Sequence, residues 1–596
     1  MRNTTGGTLA IVAAALLGLA AAAAGEGPAA GAEEGFVEVP GGRLAYQRQG
    51  AGEPLVLLHD GLLPGVTWDA QMPVLSRYFA AVRYDRRGYG ASATTSQDFS
   101  NVEDLRALLD ALGIPRAILA GCSSGGGLAA DFALAYPERV AALVLAGPVF
   151  SGFPYSEHFW ARAARNSRSV YTGGDQAAAI EAWAADRYLV FGDGEARRQL
   201  RRLLLRFPAS ATGSTGNGRE PAGPAAGRLA AIEAPTLLIT GAADIPDVHA
   251  QIGAFAAAVP SARRQLIEDA GHLAHLERPA EWNRALLDFL APEAWARERL
   301  AALRAAAAPD LEAFADDEAA PLAVEIAGRE LRQSPAGVEH PVLELSYAGR
   351  DGRVPALLVL PSGAMAKAEA PAVLFLHHGQ GDRRTFLDEA LALALADRGV
   401  VSLSVDAPHK RPGYQRPAGL PWQAAPERRE IVQTVVDLRR GIDLLAARPE
   451  VDRGRIGYVG YSLGATMGAR LVGADGRLRA AVLVAGYPAL SAAMSGGHHR
   501  SQIFFRELSG PAEREAYLAA LRPLDGVHFL GRPGAPPVLL QFARDDEFVS
   551  AIDAAIFRAA LPEAPAALHP GGHFGLGEGP PREERAAFLL ERLAAP

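Results

Sequence analysis

The sequence predicts an α/β protein of two tandem domains, each a mostly parallel, doubly wound sheet, the first with an inserted helical cap. Two observations carry this. Short apolar runs alternate with helical patterns through both halves of the 596-residue chain, as strands do when helices cover both faces of a parallel sheet. Each half also holds one Gly-x-Ser-x-Gly pentapeptide between an apolar run and an Ala-rich stretch: Gly121-Cys122-Ser123-Ser124-Gly125 and Gly460-Tyr461-Ser462-Leu463-Gly464. A chain this rich in glycine yields about 0.3 such matches by chance, so context must carry their meaning.

In the first half, apolar segments 36–39 and 44–47 flank Pro40-Gly41-Gly42 and read as a β-hairpin. Buried strands follow at 54–58, 79–84, 117–120, 140–145 and 236–239, with a helix over 101–112. About 90 residues separate the last two strands. Their pattern is helical over 156–207 and rich in Gly, Ser, Thr and Pro over 209–227, which predicts a cap spanning about 151–228. Pro292 opens a helix over 293–308 that closes the first domain at 36–308.

An acidic stretch poor in large apolar residues, 309–323, is the expected linker to a second domain at 324–596. There the strands are expected at 342–347, 356–360, 372–376, 400–405, 456–459, 481–484 and 538–542, with a smaller lid within 491–530. The repeat is one of architecture, with little identity between the halves.

Composition narrows the function. Net charge is -8 and the pI is about 6.0, which argues against a nucleic-acid partner. The only lysines are Lys367 and Lys410, neither in a phosphate-binding Gly-x-x-x-x-Gly-Lys pattern. Cys122 is the single cysteine, so no intramolecular disulfide forms. His498-His499 lacks carboxylate or cysteine partners at ligand spacing, and neither a metal nor a cofactor is expected. Arg2 and the apolar stretch 8–24, ending in Ala22-Ala23-Ala24, read as a signal peptide over 1–24, followed by a flexible leader over 25–35. The expected location is secreted or periplasmic, with a retained anchor as the alternative and no stable membrane partner after cleavage.

A serine on a sharp strand-to-helix turn is held out above the sheet, and glycines at both flanks avoid clashes. Ser123 and Ser462 are thus candidate nucleophiles. Such a serine needs a histidine to take its proton and a carboxylate to hold that histidine's tautomer. Downstream of Ser123, Asp244 ends a strand and His272 follows 28 residues later; Asp247, His249 and His275 are spare groups nearby. Downstream of Ser462, Asp546 and His573 stand 27 residues apart, with Asp545 as the alternative acid.

Four motifs then make the first domain resemble capped α/β-hydrolases of the proline iminopeptidase and enol-lactone hydrolase type: Leu57-Leu58-His59-Asp60-Gly61, Tyr84-Asp85-Arg86-Arg87-Gly88-Tyr89-Gly90-Ala91-Ser92, the first pentapeptide, and the run from Gly271-His272 to Pro279. The resemblance implies that backbone N–H groups of Gly61 and Ser124 form an oxyanion hole. Asp60 stands where the family usually has Gly, so it is either a carboxylate that disturbs the hole or contacts the substrate, or a solvent-facing turn residue. The second domain resembles dienelactone-hydrolase-like and acetyl-esterase-like members through His377-His378-Gly379-Gln380-Gly381, Asp406-Ala407-Pro408, the approach to its pentapeptide, and Asp546-Glu547-Phe548-Val549. That resemblance implies Gln380 and Leu463 as hole donors, with Gly379 open because the histidine is doubled.

Both resemblances imply a serine hydrolase of small-molecule carboxylic esters or lactones working through acyl-enzymes. Peptide or carbon–carbon cleavage on the same fold, or one non-catalytic binding domain, are the alternatives. Arg197, Arg198, Arg201, Arg202 and Arg206 in the cap share one helical face, which reads as solvated or as a lure for anionic substrate.

Overall fold

The computed structural model describes residues 32–594 except 93–97, 172–175, 209–222, 260, 317–318, 363–368, 415–422, 497–501, 503 and 506–507. The expected signal peptide, most of the leader, most of the cap's return loop and His498-His499 lie outside the described residues. The chain divides into two compact units, one ending at Asn283 and the other beginning at Arg284.

Eight strands form the first unit's sheet: β1 (Glu33–Val39), β2 (Gly42–Gln49), β3 (Pro54–Leu58), β4 (Ala80–Tyr84), β5 (Ala117–Cys122), β6 (Val140–Ala146), β7 (Thr236–Gly241) and β8 (Arg263–Ile267). Their order is β1-β2-β4-β3-β5-β6-β7-β8. β2 pairs antiparallel with both β1 and β4, and the remaining pairs are parallel. The hairpin starts earlier than the sequence reading placed it: Glu33, Glu34 and Gly35, assigned there to the leader, pair with Arg48, Gln47 and Tyr46. β5 and β7 are buried at every residue, which is why each reads as an unbroken apolar run. Between β6 and β7 lie the helices Glu157–Tyr171, Gln176–Ala184 and Glu195–Arg206, within the predicted cap. Because β3 is flanked by β4 on one side and β5 on the other, the strand order reverses there, and the crevice at these carboxyl ends is where such sheets bind ligands.

The second unit's nine strands are β9 (Glu325–Gln333), β10 (Glu339–Gly349), β11 (Gly352–Val359), β12 (Ala370–Leu376), β13 (Val401–Val405), β14 (Val451–Tyr461), β15 (Leu478–Val484), β16 (Val538–Ala543) and β17 (Ala566–His569). From β17 to β10 the order, β17-β16-β15-β14-β12-β13-β11-β10, repeats that of the first sheet, and β9 is added at the antiparallel edge. The segment between β15 and β16 carries the helices Leu490–Gly496 and Pro511–Leu521.

Two segments belong elsewhere than the sequence suggested. Helix Glu293–Ala305, expected to close the first domain, packs on helix Ala551–Ala560, and Arg304 donates to the carbonyls of Val527 and Leu530 at 2.8 and 2.9 Å. Apolar periodicity announces such a helix without saying which core receives its face. The expected linker is also anchored: Phe314 is 1% exposed and its ring lies 5.2 Å from that of Phe529. Phe314→Ala should destabilise the second unit by about 3–4 kcal/mol, measured as a lowered unfolding transition for that unit.

Candidate functional site

Each pentapeptide forms the predicted strand–turn–helix. Ser123 follows β5 with φ 56° and ψ -122°, and Ser462 ends β14 with φ 55° and ψ -103°. Left-handed backbone at a non-glycine residue costs about 1–3 kcal/mol and persists where its surroundings enforce it. The flanking glycines do so: a Cβ on Gly121 or Gly460 would collide with the next turn of its own elbow, and one on Gly125 or Gly464 with the carbonyl ending the neighbouring strand, at Leu58 or Leu376. Backbone bonds lock the serines to the sheet, from Ser123 N to Ala146 O at 2.8 Å and from Ser462 N to Val484 O at 2.7 Å.

In the first unit Asp244, 4% exposed, follows β7, and both its oxygens meet His272 Nδ1, at 3.0 and 2.9 Å. Burial opposes protonation of His272, but the Asp244 charge and hydrogen bond outweigh it and raise its pKa above the ordinary value. The sulfur of Cys122, beside Ser123, lies 3.9 Å from the His272 carbonyl, and a Cβ on Gly147 would stand 3.0 Å from both Asp244 Oδ2 and His272 Nδ1. The elbow and the Asp–His pair therefore share one corner of the crevice. The cap reaches the same corner: His272 N donates to Tyr188 O at 2.7 Å and Leu273 N to Leu189 O at 2.9 Å.

Gly147 has φ 50°, so an alanine there carries both backbone strain and a methyl against the pair. Gly147→Ala should reduce first-site kcat about 10- to 100-fold while the thermal transition moves by only a few degrees, read by single-site kinetics beside a melt.

The spare groups are engaged elsewhere. Asp247 accepts from Ser156 N at 2.6 Å and Ser156 Oγ at 2.8 Å, tying down the start of the cap. His275 bonds Thr67 Oγ1 at 2.8 Å beside Trp68, and burial pushes its pKa down to about 3. His249 sits partly exposed on helix Pro246–Ala258.

Asp60 is neither of the two things the sequence allowed in simple form. Its Oδ1 accepts from Leu62 N and Leu63 N at 2.6 and 3.0 Å, so it is a turn residue, but it is 1% exposed, not solvent-facing. Burial raises its pKa, partly offset by those N–H groups, and Oδ2 has no hydrogen-bond partner among the described residues. Gly61 and Ser124 are neighbours: a Cβ on Gly61 would lie 3.3 Å from Ser124 Oγ.

In the second unit His573 Nδ1 meets both oxygens of Asp546 at 2.9 Å. Asp546 is 7% exposed and its Oδ1 also accepts from Phe548 N and Val549 N, whereas Asp545 is exposed. The rings of Phe548, Phe574 and Tyr461 surround His573 at 4.6, 5.1 and 5.8 Å.

The doubled histidine is resolved by its bonds. His59 Nδ1 lies 2.8 Å from Asp60 O and its Nε2 takes Arg86 N at 2.9 Å; His377 Nδ1 lies 2.6 Å from His378 O and its Nε2 takes Ala407 N at 3.1 Å. His377 thus matches His59, which puts Gly379, not Gln380, at the position of Gly61. Spacing in the sequence could not choose, because either histidine can precede the glycine.

A Ser–His–Asp grouping away from both elbows shows that proximity is insufficient. His340 Nε2 lies 3.0 Å from Asp397 Oδ1 and its Nδ1 is 3.4 Å from Ser362 Oγ. Ser362, however, donates its hydroxyl proton to the Glu339 carbonyl and sits on no strand-to-helix elbow.

The cap arginines are largely consumed by local partners. Arg197 donates to the Gly192 and Ala184 carbonyls, Arg198 and Arg202 pair with Glu195, and Arg201 pairs with Glu181. Among the described residues no group of three or more His, Cys, Asp or Glu is disposed to hold a metal ion.

Comparison with known proteins agrees with this geometry for the first unit. Residues 54–279 match the family model described as alpha/beta hydrolase fold. The chain is 31% identical over 257 residues to the Pseudomonas savastanoi pv. phaseolicola protein named "Putative carbamate hydrolase RutD", covering 41% of this chain and 96% of that one. It is 30% identical over 289 residues to the dihydrolipoyllysine-residue acetyltransferase component of the acetoin cleaving system of Cupriavidus necator, covering 45% and 71%. Over 268 residues it is 27% identical to the 2-hydroxy-6-oxo-6-phenylhexa-2,4-dienoate hydrolase of Comamonas testosteroni, covering 41% and 91%. The chain belongs to the α/β-hydrolase family. It is an enzyme, a hydrolase of that fold.

Proposed function

We propose that the enzyme hydrolyses small carboxylic esters or lactones through acyl-enzymes at two sites, Ser123–His272–Asp244 and Ser462–His573–Asp546. The observation that carries this reading is the recurrence, on two sheets of the same strand order, of a strained elbow serine together with a downstream Asp–His pair whose Asp is buried.

In each site the serine Oγ attacks the carbonyl carbon as the histidine Nε2 takes its proton. Asp on Nδ1 holds the tautomer and stabilises the imidazolium. Backbone N–H groups of Gly61 and Ser124, and of Gly379 and Leu463 in the second unit, face the developing oxyanion; such donors are commonly worth about 3 kcal/mol each. The imidazolium then protonates the leaving oxygen. Water, deprotonated by the same histidine, attacks the acyl carbon and releases the acid and free serine.

The cap, bonded directly to the His272 loop, shapes the first pocket, while the aromatic rings around His573 favour acyl groups with flat apolar faces at the second. Residues 1–24 direct the enzyme out of the cytoplasm in this reading; no helix among the described residues is long and apolar enough to cross a membrane. Turnover of aryl acetates, lactones, amino-acid arylamides and vinylogous diketones by the Ser123→Ala and Ser462→Ala single variants tests the assignment. Ester or lactone turnover should dominate at whichever serine remains, and preference for arylamides or for carbon–carbon cleavage would contradict it.

A further inference from the structure

The segment after β4 contributes a guanidinium to the first site, where the second site has Ala407 at the equivalent residue. Arg86 Nη2 donates to the Asp60 carbonyl at 2.6 Å and to Ser124 Oγ at 2.9 Å. These two residues border the proposed hole donors: Asp60 precedes Gly61, and Ser124 carries the second N–H. The same segment braces the loop twice more. A backbone amide can only donate, so His59 Nε2 accepts from Arg86 N, its proton sits on Nδ1, and it donates to Asp60 O. Tyr89 Oη donates to Gly61 O at 3.0 Å.

Arg86 is 6% exposed. Among the described residues it has no carboxylate at ion-pair distance, whereas neighbouring Arg87 pairs with Asp104 at 2.9 and 2.6 Å. Burial raises the pKa of the nearby Asp60 carboxyl, and the Arg86 charge partly offsets the rise. In the second unit the equivalent residue, Ala407, makes the same backbone bond to His377 with no guanidinium, and the cation of that segment, Lys410, donates instead to the Gln380 carbonyl at 2.9 Å.

We propose that Arg86 is a positioning residue for the first oxyanion hole, pinning its two donor segments with one guanidinium nitrogen and setting a positive charge beside the developing oxyanion. The proposal rests on Ser123 being the nucleophile. Charge and donors fixed before reaction stabilise the transition state and leave substrate binding nearly untouched.

The test uses the full chain carrying Ser462→Ala, with Arg86→Gln, which keeps a donor and loses the charge, and Arg86→Lys, which keeps the charge. Aryl-ester kcat and KM are measured together with inhibition by an aryl trifluoromethyl ketone, whose serine adduct mimics the oxyanion. Arg86→Gln should lower kcat about 10- to 100-fold with KM within about twofold, weaken the ketone by a matching factor, and be partly rescued in Arg86→Lys. Unchanged kcat and ketone affinity in folded Arg86→Gln, or a raised KM alone, would overturn the proposal. Should Arg86→Gln not fold, Arg86→Lys decides: a matched, smaller fall in both readouts supports the role and no change overturns it. Ser123→Ala in the same background separates the two claims, because retained turnover there defeats the nucleophile assignment itself.

Discussion

Ser123→Ala combined with Ser462→Ala should lower aryl-ester turnover about 10⁶-fold, to the level left by binding and the two oxyanion holes. On the proposed two-site mechanism each single variant should retain the activity of the other serine, since each unit has its own Asp–His pair, in contact at 2.9 Å. The alanines should be nearly silent in stability: Ser123 and Ser462 already hold left-handed backbone, and neither substitution adds a Cβ. Full turnover by the double variant, measured on the folded protein, would remove both assignments at once.

Asp244→Asn in the Ser462→Ala background, and Asp546→Asn in the Ser123→Ala background, should each reduce kcat about 10⁴-fold. An amide can present its NH₂ to Nδ1, which moves the histidine proton to Nε2 and removes the lone pair that must receive the serine proton. At the first site the effect carries a pH signature. In the proposed mechanism neutral His272 is the active form, so kcat/KM should rise as pH climbs through its pKa, which lies above the ordinary histidine value because the Asp244 charge and hydrogen bond outweigh desolvation. With Asn in place desolvation is left less opposed, and the residual activity should show its acid limb at lower pH than wild type. An acid limb that stays in place would mean that Asp244 does not govern His272.

What the sequence made legible follows from burial. Strands buried along their length, β3, β5, β7, β12 and β16, were visible as apolar runs. β8, β9 and β17 were not: they have alternating or largely exposed residues, with no continuous apolar face to read. The elbows were legible because close backbone approach forces glycine at Gly121, Gly125, Gly460 and Gly464. Choices between adjacent residues needed geometry. Asp546 separates from Asp545 by facing inward, and Gly379 from Gln380 by the bonds of His377. Arg86 drew no attention within its motif, although a second arginine beside the one that pairs with Asp104 was a signal that could have found it. Helix Glu293–Ala305 shows the same limit, since its pattern fixes a helix and not the core it joins.

The two sites also differ in ways the pentapeptides alone do not reveal. The first has a buried carboxyl at Asp60, a guanidinium at Arg86 and a cap tied to its histidine loop. The second has His378, Ala407 and a ring of aromatic side chains. His378 is kept toward its neutral form by burial, by His573 and by Lys410, so the second site offers a neutral imidazole where the first has a carboxyl. On the proposed two-site mechanism these unequal surroundings should make the sites differ in substrate range more than in mechanism.

Labelling of the intact protein with a fluorophosphonate, followed by mass spectrometry of its peptides, tests the central claim most directly, because only an activated serine reacts. The expected result is two adducts per chain, one on Ser123 and one on Ser462, each lost in its own alanine variant and retained in the other. A single adduct, or adducts on any other serine, would contradict the account of two active sites.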